Sequence, residues 1–599
     1  MGLALDHSRT PLFSEDIRLI IWDLDETFWD GTITEEGMTY RQDHHDLVID
    51  LAKRGIMSSI CSKNDHNRIE STLRESGLWD YFIFPSIDWT PKGPRIQSML
   101  TQVGLRAGSV LFVDDNNMNL AQAAHMNPGL NVSLPTVIPE LGSAPQMLGK
   151  ADPKLTRLAQ YKLNERKTAD VVRGGGDTVT FLRHSNVRAF IEYDVESHLD
   201  RAIELINRTN QLNFTKKRLP EDMAAARADL LAVLSHNTTD AALIRVRDDY
   251  GDYGFVGFYL TRRIGNKRHV EHFCFSCRTL NMFVEHWVYG ILGRPLLTSV
   301  GEVLTDPTAT EIDVDWITPV FASDMATEEP PSLALFDRIY ARGGCDLASL
   351  LHYFSLHTKH VTEELNLPKN GQMFRRDHTS FLVPALEDGL TEPQLEAARL
   401  LGYEPQDFET EMMVCSRDKT LFLLSFWADA DIPVYRHETG LEVPYWLVGA
   451  QNHNLIAREE LRSAVAETDV QRERLDSLCS AFRHQGLLSD DEMRRRYTLI
   501  LDRLPADAAV IIVLANERGP VHYQDPSKPN HPHHKRLNEV VKSAAGTRKN
   551  VILLDPMQHI QSASDLIDLN HFKRPVYHRM YNDALTQLTT LQGEEIANG

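Results

Sequence analysis

Asp23 and Asp25 lie two residues apart in Asp23-Leu24-Asp25-Glu26-Thr27, directly after the apolar run Ile17-Arg18-Leu19-Ile20-Ile21-Trp22. Open α/β sheets bind ligands beyond the carboxyl ends of their strands, where such a pair would emerge. One carboxylate can attack phosphorus, while the other protonates the leaving group and later activates water. The attack requires the phosphate charge to be neutralised, which a hard cation such as Mg²⁺ on oxygen ligands can do. An Asp-rich helix start would use the same residues, because Asp is favoured at N-caps. Three later features favour chemistry. Ser62 ends an apolar run in Ile60-Cys61-Ser62-Lys63-Asn64-Asp65, where a hydroxyl can grip a phosphoryl oxygen. Lys92, in Trp89-Thr90-Pro91-Lys92-Gly93, offers positive charge to phosphate and nucleophile. Asp114 and Asp115 follow Val110-Leu111-Phe112-Val113 and add carboxylates at another strand end.

A second constellation lies toward the C-terminus. Asp568 precedes His571 by three residues in Asp568-Leu569-Asn570-His571-Phe572, and on a turn it can orient the imidazole as a general base. Asn516 follows the run Ala509–Leu514, where its amide could donate to an oxyanion. Ser425 follows Leu421-Phe422-Leu423-Leu424 and is the candidate nucleophile. The stretch His531-Pro532-His533-His534 lacks a recognisable ligand frame and reads as an exposed polar loop. Cys274 and Cys277 would point to opposite faces of a strand, so no metal or redox role is expected of them.

The elements that must position these residues follow from periodicity. From Ile17 to about Leu141, the runs Leu19–Trp22, Met57–Cys61, Phe82–Pro85 and Val110–Val113 alternate with amphipathic stretches, predicting a parallel sheet covered by helices. Only 39 residues separate Asp23 from Ser62, and 30 separate Ser62 from Lys92, so no large cap domain fits between them. Residues 171–178, VVRGGGDT, read as a linker. A helix (Leu199–Thr209), three strands (Ala242–Val246, Phe255–Leu260, Val270–Phe275) and a further helix (Phe283–Leu292) predict an α+β domain. Residues 326–332 read as a second linker, and 333–410 as mostly helical with a turn near Gly343-Gly344 and another at Pro368-Lys369-Asn370-Gly371. A third α/β pattern carries strands Leu421–Leu424, Ala509–Leu514 and Val551–Leu554.

Bulk properties set the boundaries. A chain of 599 residues is too long for one core. Lys+Arg 63 against Asp+Glu 84, a formal net charge of -21, argues against nucleic acid as a partner, which needs a basic footprint. Six cysteines are too sparse for a disulfide framework and read as reduced thiols. No apolar run is long enough to span a membrane, and the start MGLALDHSRT lacks a secretory pattern and has Asp6 where myristoylation wants Ser or Thr. A cytoplasmic enzyme is expected.

DLDET, CSKND, WTPK and FVDDNN resemble the four motifs of the haloacid-dehalogenase (HAD) superfamily, in its FkbH-like branch of the IIIC type. The resemblance implies that Asp23 forms an aspartyl-phosphate and that Asp25 is the general acid/base. It implies that Ser62 and Lys92 bind the phosphoryl group, and that Asp23, Asp25 and either Asp114 or Asp115 hold Mg²⁺. Residues 204–219 and 247–257, and Ser276-Cys277-Arg278-Thr279-Leu280 with Glu285, resemble the N-acetyltransferase-like (GNAT) region of FkbH-like proteins. That family is associated with taking a glyceryl unit from 1,3-bisphosphoglycerate and loading it on an acyl carrier protein through an enzyme thioester. Cys61, beside Ser62, is the first candidate for that thioester and Cys277 the second. A GNAT pyrophosphate loop uses glycines, and Arg278–Phe283 has none, so carrier docking is expected there rather than coenzyme A binding. Ser425, Asn516 and Asp568-x-x-His571 occur in the order of SGNH/GDSL hydrolases, although Ser425 lacks the Gly-Asp expected before that nucleophile.

The expected architecture is therefore a multidomain α/β protein. A HAD-type Rossmannoid parallel sheet would occupy 1–150, a GNAT-like α+β domain 175–325, a helical connector 333–410 and an SGNH-like α/β domain 411–599. The expected function is Mg²⁺-dependent dephosphorylation of a small phosphorylated acyl donor with loading of the acyl unit on a carrier protein. The alternatives are a simple phosphatase of a metabolite or macromolecule, and a phosphate-sensing scaffold.

Overall fold

The computed structural model describes residues 12–33, 37–173, 177–264, 267–309, 312–321, 336–358, 360–369, 372–415, 419–450, 453–525 and 527–598. The N-terminal decapeptide, Gly174–Gly176 of the first linker, all of the second linker and the Asn370-Gly371 turn lie outside them. The chain divides into two compact units, Met1–Asn186 with Asp248–Gly251, and Val187–Arg247 with Asp252–Gly599.

The first unit is built on β1 (Leu19–Trp22), β2 (Met57–Ser62), β3 (Ser86–Ile87), β4 (Val110–Val113) and β5 (Asn131–Ser133), in the parallel order β3-β2-β1-β4-β5. Strands buried on both faces read as continuous apolar runs, which is why β1 and β4 stand out in the sequence. Their alternate side chains feed two layers. Trp22, Ile60, Leu111 and Val113 pack with Leu51 and Leu73 on one face. Leu19, Ile21, Cys61 and Phe112 pack with Ile96 and Met99 on the other. The short strands were harder to see. Phe82 makes only a lone bridge to Ser58, and the strand expected at Phe82–Pro85 is displaced to Ser86–Ile87. Among the described residues, single α-helices (Gln42–Lys53 and His66–Glu75) connect Asp23 to Ser62 and Ser62 to Lys92, with no cap domain between.

The unit also runs past residue 150, the expected boundary. The helix Thr156–Arg173 packs back on the sheet, where Glu165 accepts from the Phe84 N–H and Arg157 donates to the Gly55 carbonyl at 2.6 Å. Leu158, with Tyr161 beside it, also seats the helix in the apolar layer of Ile21 and Phe112, a face too sparse to mark the extension in the sequence.

The second unit contains both remaining large sheets. A mixed sheet, order β10-β6-β7-β8-β9, is formed by β6 (Val187–Glu192), β7 (Thr239–Asp248), β8 (Gly251–Ile264), β9 (Lys267–Phe275) and β10 (Ile317–Phe321). β6 pairs parallel with β10 and antiparallel with β7. Next in the chain come β11 (Arg338–Gly343), β12 (Val361–Leu365), β13 (Leu367–Lys369), β14 (Gln372–Phe374) and β15 (Thr420–Leu424). They are followed by β16 (Val434–His437), β17 (Glu442–Pro444), β18 (Phe482–Gly486), β19 (Ala509–Val513) and β20 (Val551–Leu554). A parallel sheet takes the order β12-β11-β15-β19-β20, while β13-β14 form a hairpin and β17-β16-β18 a small antiparallel sheet.

Residues 333–410 are thus not a helical connector, and the C-terminal sheet begins near residue 338 rather than 411. The reason is a buried ion pair. Arg342 on β11 is in register with Glu364 on β12 and bonds to it, and Tyr340 Oη donates to the same carboxylate at 2.7 Å. Charged residues inside Arg338–Gly343 and Val361–Leu365 broke the apolar pattern that identified the other strands.

Arg574 ties the C-terminal helix to the mixed sheet. Its fully buried guanidinium donates to the carbonyls of Tyr193 (2.7 Å) and Ala241 (3.3 Å) and pairs with Glu196. Removing one partner of a buried pair leaves the other uncompensated. Arg574→Ala should destabilise this unit by about 3–5 kcal/mol, read as a lower denaturant midpoint. Among the described residues, no helix is long and apolar enough to cross a membrane.

Candidate active sites

In the first unit, the register of the two central strands places the acidic residues side by side. Trp22 pairs with Val113, so Asp23 and Asp114 leave the sheet at the same level, and the Asp23 N–H donates to the Val113 carbonyl at 2.9 Å. After Asp23 the chain turns tightly, with the Leu24 carbonyl accepting from Thr27, Phe28 and Trp29 and Glu26 at a φ of 53°. Lys92, the first residue of the helix Lys92–Val103, is almost wholly buried. Its Nζ lies 2.7 Å from Asp23 Oδ1 and 2.6 Å from Asp114 Oδ2.

Burial lifts the Asp23 carboxyl to about 6, with the Lys92 charge opposing that rise and Asp114 adding to it. Burial also works against the Lys92 ammonium, yet Asp23 and Asp114 together hold it above the ordinary lysine value. Asp114 is further fixed by the Asn116 N–H (2.8 Å) and the Asn119 amide (3.1 Å), while Asp115 donates its own N–H to Thr27 Oγ1. Asp23, Asp114 and Asp115 each offer a carboxylate oxygen within 4.8 Å of the others. Three hard oxygen donors fit a hard divalent cation.

Asp25 stands outside this carboxylate cluster, contrary to the expectation that its side chain joins the metal ligands. Its Oδ1 accepts from Trp29 Nε1 (2.8 Å) and the Ile33 N–H (3.1 Å), and its Oδ2 from Asn64 Nδ2 (3.1 Å). The same Asn64 amide donates to Ser62 Oγ at 3.0 Å, so one side chain links the acid/base candidate to the hydroxyl candidate. Asn64 sat in the quoted motif without a role. Arg95 was also missed; it fixes the end of β2 through the Ser62 carbonyl (3.0 Å) and the Asp88 carbonyl (2.9 Å).

Cys61 does not fit the thioester role. Strand alternation turns it away from Ser62 into the apolar layer with Ile83 and Phe112, and burial pushes its thiol up to about 12. Cys277 is exposed, with its Sγ 3.5 Å from Gln211 Oε1. Cys274 is buried on β9, whereas Cys277 lies beyond the strand's end in the turn Cys277–Thr279, so the two do not share a strand as the opposite-face argument assumed.

In the second unit the structure reassigns the C-terminal constellation. His571 Nδ1 lies 2.8 Å from Asp568 Oδ2, and Asp568 Oδ1 accepts the N–H groups of Asn570 and His571, both at 2.8 Å. The other imidazole nitrogen does not meet Ser425. His571 Nε2 lies 2.9 Å from the sulfur of Cys345, which is exposed in the turn between β11 and the helix Leu347–Ser355. Ser425 is fully buried at the end of β15, its hydroxyl without a hydrogen-bond partner among the described residues, and it is no accessible nucleophile. It packs behind the turn, since a Cβ on Gly343 would lie 2.9 Å from Ser425 Cβ and 2.7 Å from Leu347 Cδ2. A Cβ on Gly344 would collide with Asp346 Oδ1.

Asn516 is not free to donate to an oxyanion either. Its amide donates to the carbonyls of Arg518 (2.8 Å) and Leu569 (2.9 Å), and so braces the loop that carries Asp568 and His571. The His-rich stretch is not the exposed polar loop expected of it, since it opens the helix Pro532–Ala545 and gathers a side-chain cluster with Asp431. His534 is buried, with Nδ1 2.6 Å from the Asn516 carbonyl and Nε2 2.9 Å from Asp431, and with His531 they offer ligand atoms within 4.8 Å of one another. The sequence signal for Cys345 was Gly343-Gly344-Cys345-Asp346 after the apolar Ile339-Tyr340-Ala341. The surrounding residues read as mostly helical with Gly343-Gly344 only a turn, so no strand end marks Cys345 in the sequence.

No protein-family model and no curated protein matches the chain. Solved structures give a distant likeness to phosphatases over about a quarter of it. The N-terminal part of a Bacteroides fragilis protein containing a phosphatase domain, complexed with Mg, is 20% identical with a TM-score of 0.18, and the match covers 24% of this chain and 40% of that one. A HAD-superfamily hydrolase, subfamily IA, from Geobacter sulfurreducens is 14% identical with a TM-score of 0.16, covering 20% of this chain and 89% of its own. The 3-deoxy-D-manno-octulosonate 8-phosphate phosphatase of Moraxella catarrhalis, in complex with magnesium, phosphate and KDO, is 14% identical with a TM-score of 0.17, covering 27% and 94%.

Proposed function

We propose that the Asp23 centre is a Mg²⁺-dependent phosphoryl-transfer site of HAD type, acting on a small phosphorylated acyl donor whose acyl unit is passed to an acyl carrier protein. One observation carries the phosphoryl-transfer reading: a buried lysine ammonium joins two strand-end aspartates, with a third carboxylate completing an all-oxygen cluster. The motif resemblance supports the narrower reading of glyceryl loading in the FkbH-like manner. In that reading the mixed sheet is a GNAT-like docking element and the C-terminal parallel sheet an SGNH-like domain.

Asp23 attacks the phosphorus of the donor's phosphate ester, not of its acyl phosphate, through a carboxylate oxygen; the bond to the ester oxygen breaks and Asp25 donates the proton that oxygen takes. The acyl phosphate is kept until the carrier thiol attacks the acyl carbon and its phosphate leaves. Water then attacks the aspartyl-phosphate, giving its proton to Asp25 and releasing Asp23. Ser62 and Lys92 hold the phosphoryl oxygens. A cation held by Asp23 and Asp115 would neutralise the phosphate charge; Asp114, already bonded to Lys92, Asn116 and Asn119, positions the lysine. Asn64 couples Asp25 to Ser62, and partners of this kind cost about 10–100-fold when removed. Asn64→Ala should lower kcat by that amount with an unchanged unfolding midpoint.

The loading step has its own test. The full chain is incubated with Mg²⁺, 1,3-bisphosphoglycerate and a phosphopantetheinylated carrier, and intact masses are read. A glyceryl mass on the carrier, lost in Asp23→Asn, is the expected result. Phosphate release with no acyl adduct would leave the simple phosphatase as the better reading.

A further inference from the structure

We propose that Cys345, His571 and Asp568 form a second catalytic centre, a cysteine-dependent acyl-transfer site that takes activated acyl groups, thioesters or acyl phosphates, onto the Cys345 sulfur. The inference is independent of the phosphoryl-transfer reading, since it uses residues of the other compact unit alone.

Nucleophilic triads are recognised by geometry and roles rather than by chain order. Here the imidazole has one nitrogen on a carboxylate (2.8 Å) and the other on a thiol (2.9 Å), which are the two contacts a general base needs. The carboxylate is not a chance neighbour. It is locked by two backbone N–H groups, and Asn516 ties the following residue to the end of β19. The sulfur sits on a strand–turn–helix corner of the kind that exposes nucleophiles, made possible by two glycines whose Cβ positions are occupied. That corner also places it before the N-terminus of a nine-residue helix, where the dipole favours a thiolate.

Surrounding charges agree with this role. Arg375, held by Asp377 at 2.7–2.9 Å and part-buried, contributes a positive charge felt by Cys345 and Asp346. Asp346 is the opposing neighbour; burial lifts its carboxyl to about 7, which reduces its charge near the thiol. Burial opposes protonation of His571, yet its hydrogen bonds to Asp568 and Cys345 raise it to about 10.

The choice of sulfur selects the substrate class. Acylating a thiol from another thioester or an acyl phosphate conserves transfer potential, whereas acylating it from an alkyl ester is uphill. In the first step the Cys345 proton passes to His571 Nε2, and the sulfur attacks the acyl carbon. The new C–S bond forms as the bond from acyl carbon to leaving sulfur or phosphate oxygen breaks, and the leaving thiolate or phosphate takes the His571 proton. In the second step an acceptor thiol, hydroxyl or water gives its proton to His571 and attacks the same carbon. The C–S bond to Cys345 then breaks and the sulfur is restored.

The test uses the full chain with S-acetyl-N-acetylcysteamine and, separately, acetyl phosphate, quenched in acid and mapped by peptide mass. An acetyl group on the Cys345 peptide is expected in the wild type and equally in Asp23→Asn, which separates this centre from the first. It should vanish in Cys345→Ala, and its rate should fall by about 10² or more in His571→Ala. An undiminished adduct in Cys345→Ala, or acetylation of Cys277 at the same rate, overturns the proposal. A measurement without variants guards against misfolding: limiting iodoacetamide should alkylate Cys345 at least about tenfold faster than Cys277, which is also exposed. Equal rates overturn it too.

Discussion

Asp23→Asn is expected to abolish Mg²⁺-dependent phosphate release, with a loss on the order of 10⁴- to 10⁶-fold, in the range seen when a nucleophile is removed from a group that acts as a unit. The amide keeps the size of the side chain and can still lie beside Lys92, so the fold should survive. What it loses is the anionic oxygen that attacks phosphorus and binds the cation. The unfolding midpoint in the absence of Mg²⁺ should stay level or rise, because the buried carboxylate it replaces is desolvated and close to Asp114. Stopped assays of phosphate release and urea melts of the same preparations check both halves.

Lys92→Met has the opposite profile, harming both activity and stability. The ammonium is the common partner of Asp23 and Asp114, at 2.7 and 2.6 Å, and all three side chains are buried. Without it two close carboxylates remain buried, and breaking a buried pair costs about 3–5 kcal/mol. Activity should fall by about 10²- to 10³-fold, as when one preorganised donor to the developing charge is removed. Mg²⁺ binds the folded state and should recover part of the lost stability, so the midpoint of the variant should depend more steeply on Mg²⁺ than that of the wild type. A variant as stable as the wild type without Mg²⁺ would contradict the role given to Lys92.

The two sites were legible to different degrees, and the difference is physical. The first depends on residues that end apolar strands. Leu19–Trp22 and Val110–Val113 are buried on both faces, so their runs and the aspartates after them are visible in one dimension. Asn64 and Arg95 were not visible, since their value lies in contacts across 39 and 33 residues. Cys61 shows the limit of proximity in sequence: one residue from Ser62, it faces the other side of the sheet.

The second site failed where charge interrupted a strand. Arg342 and Glu364 satisfy each other inside the sheet, and this hid β11, the strand that delivers Cys345. With that strand hidden, the nucleophile expected from the sequence is Ser425, which follows the next strand in the sheet and is buried behind Gly343. Asp568 and His571 were readable because they make a local turn, three residues apart.

The central claim, that Asp23 is the nucleophile of a metal-dependent phosphoryl-transfer centre, is tested most directly by trapping. The full chain is mixed with acetyl phosphate and Mg²⁺, quenched in acid and mapped by peptide mass. A phosphoryl group on the Asp23 peptide is predicted, absent when Mg²⁺ is chelated and absent in Asp23→Asn. Phosphate release that continues undiminished in Asp23→Asn, or a phosphoryl group on another residue, would contradict it.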